Sequence, residues 1–224
     1  MKTNPVMNGY RVLIETEADA VRFMKSVKFA LRYNATASLP LASMYAAAPN
    51  QRRAIELTNA LLASGEAVET NVIADRLVLT HRDVVPALYA LRVRYRAAML
   101  SENAERAFRL IQEDGTASVG DIRRFLGVQG MKRPDAADLA VAELMRELLV
   151  DRGPASIPKT GIPYLSKEGY PYRVFEKAHP ELVKAARRIK TEDAVKTIVA
   201  AFPDVPAKKI ASMFKLCFPK STAS

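Results

Sequence analysis

The residues whose types and spacing could do chemistry are basic, and that chemistry is anion binding. In KAARRIK, Lys184, Arg187 and Arg188 recur at spacings of three and four, which puts them on one helical face. Like charges that close repel unless an anion joins them, so the run reads as a phosphate contact or as a solvated face. The stretch VIADRLVLTHRDVVPALYAL, residues 72–91, contributes His81 and Arg82, and Arg92, Arg94 and Arg96 follow. Across residues 70–96 five arginines stand against two aspartates, a net charge of +3. The whole chain of 224 residues carries 34 Lys and Arg against 24 Asp and Glu, a net of +10. That balance fits a polyanionic partner, double-stranded DNA first.

Other chemistries lack their parts. With one cysteine, Cys217, an internal disulfide is excluded, and Cys217 in FKLCFPK reads as a small apolar filler. Two distant histidines, His81 and His179, give no Cys/His zinc set. There is no Gly-x-Ser-x-Gly, no P-loop and no dinucleotide fingerprint. Glu15 and Glu17 splay apart at i, i+2 on a helix. No catalytic residue, cofactor or metal is therefore expected. No apolar h-region opens the chain and no apolar run reaches about 18 residues, so a soluble, cytoplasmic protein with no membrane partner is expected.

The elements that must position these cations read as mainly α. Glycine is scarce (9), Ala and Leu are frequent, and β-branched runs are short. The expected architecture is tandem helix-turn-helix and winged-helix units with a small β-wing. Its divisions are an N-terminal helical region (1–100) holding a helix-turn-helix at 51–92, a winged helix at 101–175, and C-terminal helices at 176–224.

In the first unit a helix is expected from Glu17 to Tyr33 and another from Gln51 to Gly65. Ala74 is the small residue of a supporting helix, Ile73 and Leu77 pack inward, and Leu79 closes the turn. Thr80 is an N-cap answered by Asp83. That leaves Thr80, His81, Arg82 and Val85 where a reading helix meets bases, with Arg92, Arg94 and Arg96 for phosphates. Two residues oppose this. Val78 stands at a turn position that favours glycine, and Pro86 deletes a helical hydrogen bond at a cost of about 3 kcal/mol.

In the second unit Ser101, Ser118 and Pro134 start three helices, and Gly115 closes the first. The residues from Leu148 to Glu176, rich in Pro, Gly and β-formers, read as a hairpin wing. The third helix, 134–150, carries Asp135, Asp138, Glu143 and Glu147 against Arg146 alone, a net of −3. Carboxylates there repel phosphate. DNA contact then falls to Lys132 and Arg133 ahead of that helix, to Arg123 and Arg124, and to the wing residues Arg152, Lys159, Lys167 and Arg173. The opposing reading uses the acidic helix 134–150 to hold a protein partner. Tyr164, Tyr170 and Tyr172 in the wing either stack on an unpaired base or fill the gap behind it.

The run AERAFRLIQEDGTASVGDIRRFLG, then AVAELMRELLV, then GIPYLSKEGYPYRVFE, with HRDVVPALYALR upstream, resembles winged-helix proteins related to the AlkZ-type DNA glycosylases, which excise alkylated bases. The resemblance covers roughly residues 70–215 and implies tandem winged helices and a DNA partner. Those glycosylases use a Gln-x-Gln or Gln-x-Asp motif. Here the glutamines are Gln51, Gln112 and Gln129; only Gln112 has an aspartate, Asp114, two residues on, in a stretch that reads as a solvated turn. The expected function is a non-enzymatic DNA-binding protein of winged-helix type, the alternatives being a DNA-repair glycosylase or damaged-base recogniser and a winged-helix interaction scaffold.

Overall fold

The computed structural model describes residues 6–7, 10–11, 13–34, 39–94, 99–128, 134–154 and 170–216. Cys217, Arg96, Lys132, Arg133, Lys159, Tyr164 and Lys167, all singled out above, lie outside the described residues.

Two short strands, β1 (Val6–Met7) and β2 (Tyr10–Arg11), pair antiparallel. Helix α1 (Glu17–Val27) opens on a capping box in which the Asp19 amide donates to Thr16 Oγ1 (3.1 Å) and the Thr16 amide donates to Asp19 (3.0 Å). It does not continue to Tyr33. Lys28, at φ +58°, ends it, and Phe29–Leu31 form strand β3. Phe29, Ala30 and Leu31, which extend the apolar run past α1, form a strand buried on both faces, where helical and strand periods look alike.

The chain continues through β4 (Ala42–Ser43), α2 (Met44–Ala47), α3 (Gln51–Ala63), β5 (Ala67–Ile73), β6 (Arg76–His81) and α4 (Val85–Arg94). The sheet order is β4-β3-β6-β5, antiparallel except for the parallel β3–β4 pair. Alternation assigns its faces. Ala30, Ala67 and Leu79 pack with Ala20, Met24, Leu57 and Leu61 of α1 and α3. Phe29, Leu31, Val68 and Val78 pack with α4 and the C-terminal helices.

The helix-turn-helix expected at 51–92 is therefore replaced by helix, hairpin, helix. Residues 72–81, expected to hold a supporting helix and its turn, complete one strand and form the next. The hairpin turn is Ala74–Asp75, both at positive φ (48° and 55°), the backbone of a tight two-residue turn. Tertiary ties hold it without the usual glycine. The Ala74 amide donates to the Met213 carbonyl (3.1 Å), and Asp75 takes Lys215 Nζ (2.6 Å) and Arg146 Nη1 (3.3 Å). Val78 lies within a strand, so its β-branch is favourable. Pro86 sits in the first turn of α4, where the missing N–H costs nothing.

The second stretch runs α5 (Glu102–Asp114), β7 (Thr116–Ala117), α6 (Val119–Leu126), α7 (Ala136–Arg146), β8 (Val150–Arg152) and β9 (Tyr172–Val174). Its sheet order is β7-β9-β8, antiparallel throughout. Ile111, Ile122, Ala140 and Leu144 form its core with Val150, Tyr172 and Val174. Ser101 caps α5. The missing partner of its capping box comes from α7: the Ser101 amide and hydroxyl donate to the Glu143 carboxylate at 2.9 and 2.6 Å. Ser118 and Asp121 form the expected box on α6. Helix α7 starts two residues after Pro134, with Asp135 as N-cap.

The tail comprises α8 (Phe175–Ala178), α9 (Pro180–Ala186), α10 (Thr191–Ala200) and α11 (Ala207–Phe214). Val183, Ala186, Ile198, Ile210 and Phe214 bury against α4 and the first sheet. The two halves meet where β8 and α7 pack on β5. There Glu69 of β5, fully buried, accepts from Arg32 Nη1 at 2.9 Å on both oxygens and pairs with Arg152 of β8. Arg32 Nη2 also donates to the Tyr170 hydroxyl (2.8 Å). Among the described residues no helix is long and apolar enough to cross a membrane.

Candidate nucleic-acid interface

Four of the arginines that sequence assigned to DNA, Arg92, Arg123, Arg152 and Arg173, make internal contacts that hold the fold. Thr80 is fully buried in β6, its hydroxyl 3.1 Å from that of Thr70. His81 is buried as well. The Asp83 amide donates to its Nδ1 (3.3 Å), which places the proton on Nε2, and Nε2 lies 3.8 Å from Glu66. Burial pushes the His81 imidazole below its ordinary pKa. Neither side chain is placed to meet a base, and Val85 is buried beside them. Arg82 is exposed, 3.8 Å from Glu66.

Arg92 is buried and donates to the Phe214 carbonyl (2.8 Å), closing α4 onto the end of α11. Arg123 clamps the start of α7: Nε donates to Asp135 (2.6 Å) and Nη2 to Asp138 (3.3 Å). Arg173 pairs with buried Asp151 (2.7 Å), which also meets His179 Nε2 at 2.7 Å. Arg152 is the junction residue described above. Arg124 stays largely exposed while pairing with Asp121 one turn back.

The acidic helix resolves in the same way. Asp135 and Asp138 are held by Arg123 and by the helix cap, Glu143 by Ser101, and Glu147 is buried beside Arg146 (3.4 Å). Each of the four carboxylates thus has a partner within the chain, and Arg123 is the cation that comes from outside the helix.

What remains on the surface is the KAARRIK turn. Lys184, Arg187 and Arg188 are all exposed, and no ion pair engages any of them among the described residues. Helix α9 packs on α4 through Val183 and Ala186, which turns the basic side outward. The packing brings Arg187 to Arg94, the exposed last residue of α4. Together with Tyr89, Ala90, Val93 and Ala186 they line an open cleft of about 220 Å³. Arg94 Nη2 donates to the Ile189 carbonyl (3.3 Å) and keeps its charge at the rim. The cationic group is therefore built from two segments about ninety residues apart, and Tyr89 and Val93 give it an apolar floor that sequence spacing did not reveal. The one available signal was Val93, an apolar residue set between two arginines.

Gln112 and Asp114 are exposed near the end of α5. Tyr170 and Tyr172 are buried behind the wing, which favours gap filling over stacking on a base.

Comparison with known proteins adds one finding. The model of a family described as AlkZ related matches residues 14–217, so the likeness extends through α1 and the first sheet as well as the second half. No curated protein and no solved structure matches the chain.

Proposed function

We propose a function from one premise: the chain belongs to the AlkZ-related family. That membership associates it with DNA repair. In our reading it is a DNA-binding protein that acts by holding duplex DNA and not by cutting base from sugar. The observation that carries this is the exposed basic turn Lys184, Arg187 and Arg188, which no ion pair engages among the described residues, with its Arg187 lining one cleft together with Arg94. Four exposed cations with no ion pair among the described residues can neutralise phosphates, which releases the counterions condensed on the duplex.

The residues from Glu102 to Val174 support a winged-helix reading through their order, three helices with a three-stranded antiparallel sheet of order β7-β9-β8. The first half supports no second unit of that kind, because a hairpin stands where the supporting helix and its turn were expected. Docking would run through the α4–α9 surface and not through α7, whose carboxylates are committed internally. That commitment also removes the motive for a protein partner on the acidic helix. A glycosylase reading has only Gln112 and Asp114 to draw on. The test is duplex binding against salt, paired with an assay for free base from alkylated duplex. Salt-sensitive binding without base release supports the proposal; base release overturns its non-enzymatic part, and salt-independent binding overturns its electrostatic part.

A further inference from the structure

The junction between the two halves is out of electrical balance. Arg32 and Arg152 bring two guanidinium groups to one carboxylate, Glu69, and the three side chains are all under 5% exposed. Two donors remain: Arg32 Nε and Arg152 Nη2 are buried with no hydrogen-bond partner among the described residues. A buried N–H left without an acceptor is costly, and each guanidinium keeps one such group beside its contact with Glu69.

Arg152 also lines a cleft of about 190 Å³ between the halves, with Leu77 of β6, Val119, Val141, Tyr172 and Tyr33 on its other walls. The Tyr170 ring, centred 4.4 Å from the Arg152 guanidinium carbon, fixes the plane of that guanidinium. Asp138 is the one acid on the lining, and its two oxygens already accept from Arg123 (3.3 Å) and from the Asp135 amide (3.2 Å). The site thus combines a cationic donor at one end with three aliphatic side chains and two tyrosine rings. A dry cavity of ~150 Å³ accepts a benzene-sized guest, so a ring-sized body fits here.

We propose that this cleft binds an organic oxyanion, a carboxylate or phosphate monoester on a small apolar or aromatic body. The oxyanion meets Arg152, and the body lies among Leu77, Val119 and Val141. A bidentate guanidinium–oxyanion contact suits both groups. Because the walls come from both halves, an occupant braces β6 against α6 and α7. The site is separate from the α4–α9 surface, so it stands or falls apart from duplex binding. The same chemistry has two sources, a free metabolite or the phosphorylated end of a nucleic-acid strand.

The test is calorimetric titration of the full chain with phenyl phosphate, benzoate, neutral benzyl alcohol, and a dinucleotide with and without a 5′-phosphate. Methyl NMR of Leu77, Val119 and Val141 reports the place. The expected result is binding of the anionic probes with shifts in those methyls, and at least tenfold weaker binding of benzyl alcohol. Leu77→Trp, which fills the cleft, abolishes binding, and Arg152→Lys weakens it by about tenfold. A phosphorylated dinucleotide preferred over phenyl phosphate identifies a strand end as the source; the reverse order identifies a metabolite. No binding by any anionic probe to the wild-type chain overturns the proposal, as does binding that moves none of the methyls of these three residues.

Discussion

Arg32 Nη1 lies 2.9 Å from both oxygens of Glu69; Arg32 follows β3 and Glu69 lies in β5, on either side of β6 in one sheet, with Arg152 of the other half beside them. Removing the carboxylate leaves two guanidinium groups buried and uncompensated. Glu69→Ala is therefore expected to cost about 3–5 kcal/mol in urea unfolding. Replacement of all three side chains, Arg32, Glu69 and Arg152, by apolar residues of similar size would cost less.

The same carboxylate sets a pH dependence. Arg152 and Arg32 overcome the effect of burial and hold Glu69 at about 2, against an ordinary 4.5. Its contribution is fully present above 4.5 and is lost as pH falls from there toward about 2, because the unfolded chain binds the proton first. Unfolding curves across that window should steepen for wild type and flatten for Glu69→Gln.

His81 acts in a higher window with the same sign. Burial lowers its folded pKa below 6.5, so the unfolded chain takes up the proton more readily. Stability is present above 6.5 and falls as pH drops through the folded value. His81→Gln should remove this dependence between about pH 7 and 5.5 and leave duplex affinity unchanged.

Arg123 separates the two roles that sequence merged. Its side chain and that of Asp135 are nearly buried, and they tie α6 to the start of α7. Arg123→Ala is expected to lose about 2 kcal/mol of stability while the salt dependence of duplex binding stays as in wild type. A change in salt slope with stability intact would assign Arg123 to DNA after all.

The helices with strong local signals were legible: Ser101, Ser118 and Gly115 mark their ends because caps are satisfied within a few residues. The first sheet was not. Its strands are buried on both faces and lack alternation, and its tight turn uses Ala74–Asp75, held by contacts from Met213, Lys215 and Arg146 that no local pattern encodes. The basic residues were legible as charge but not as surface. Arg92, Arg123, Arg152 and Arg173 each found a partner far along the chain, whereas the KAARRIK run, read from its spacing alone, kept its exposure.

The most direct test is duplex affinity measured from 50 to 200 mM salt, for wild type and for Arg187→Ala/Arg188→Ala (concentrations of roughly this range resolve the slope). Four phosphate contacts by Arg94, Lys184, Arg187 and Arg188 give a log–log slope of about −3 to −4 for wild type, and the double variant should lose about 2 of it. A flat wild-type response, or a double variant with an unchanged slope, would contradict the account.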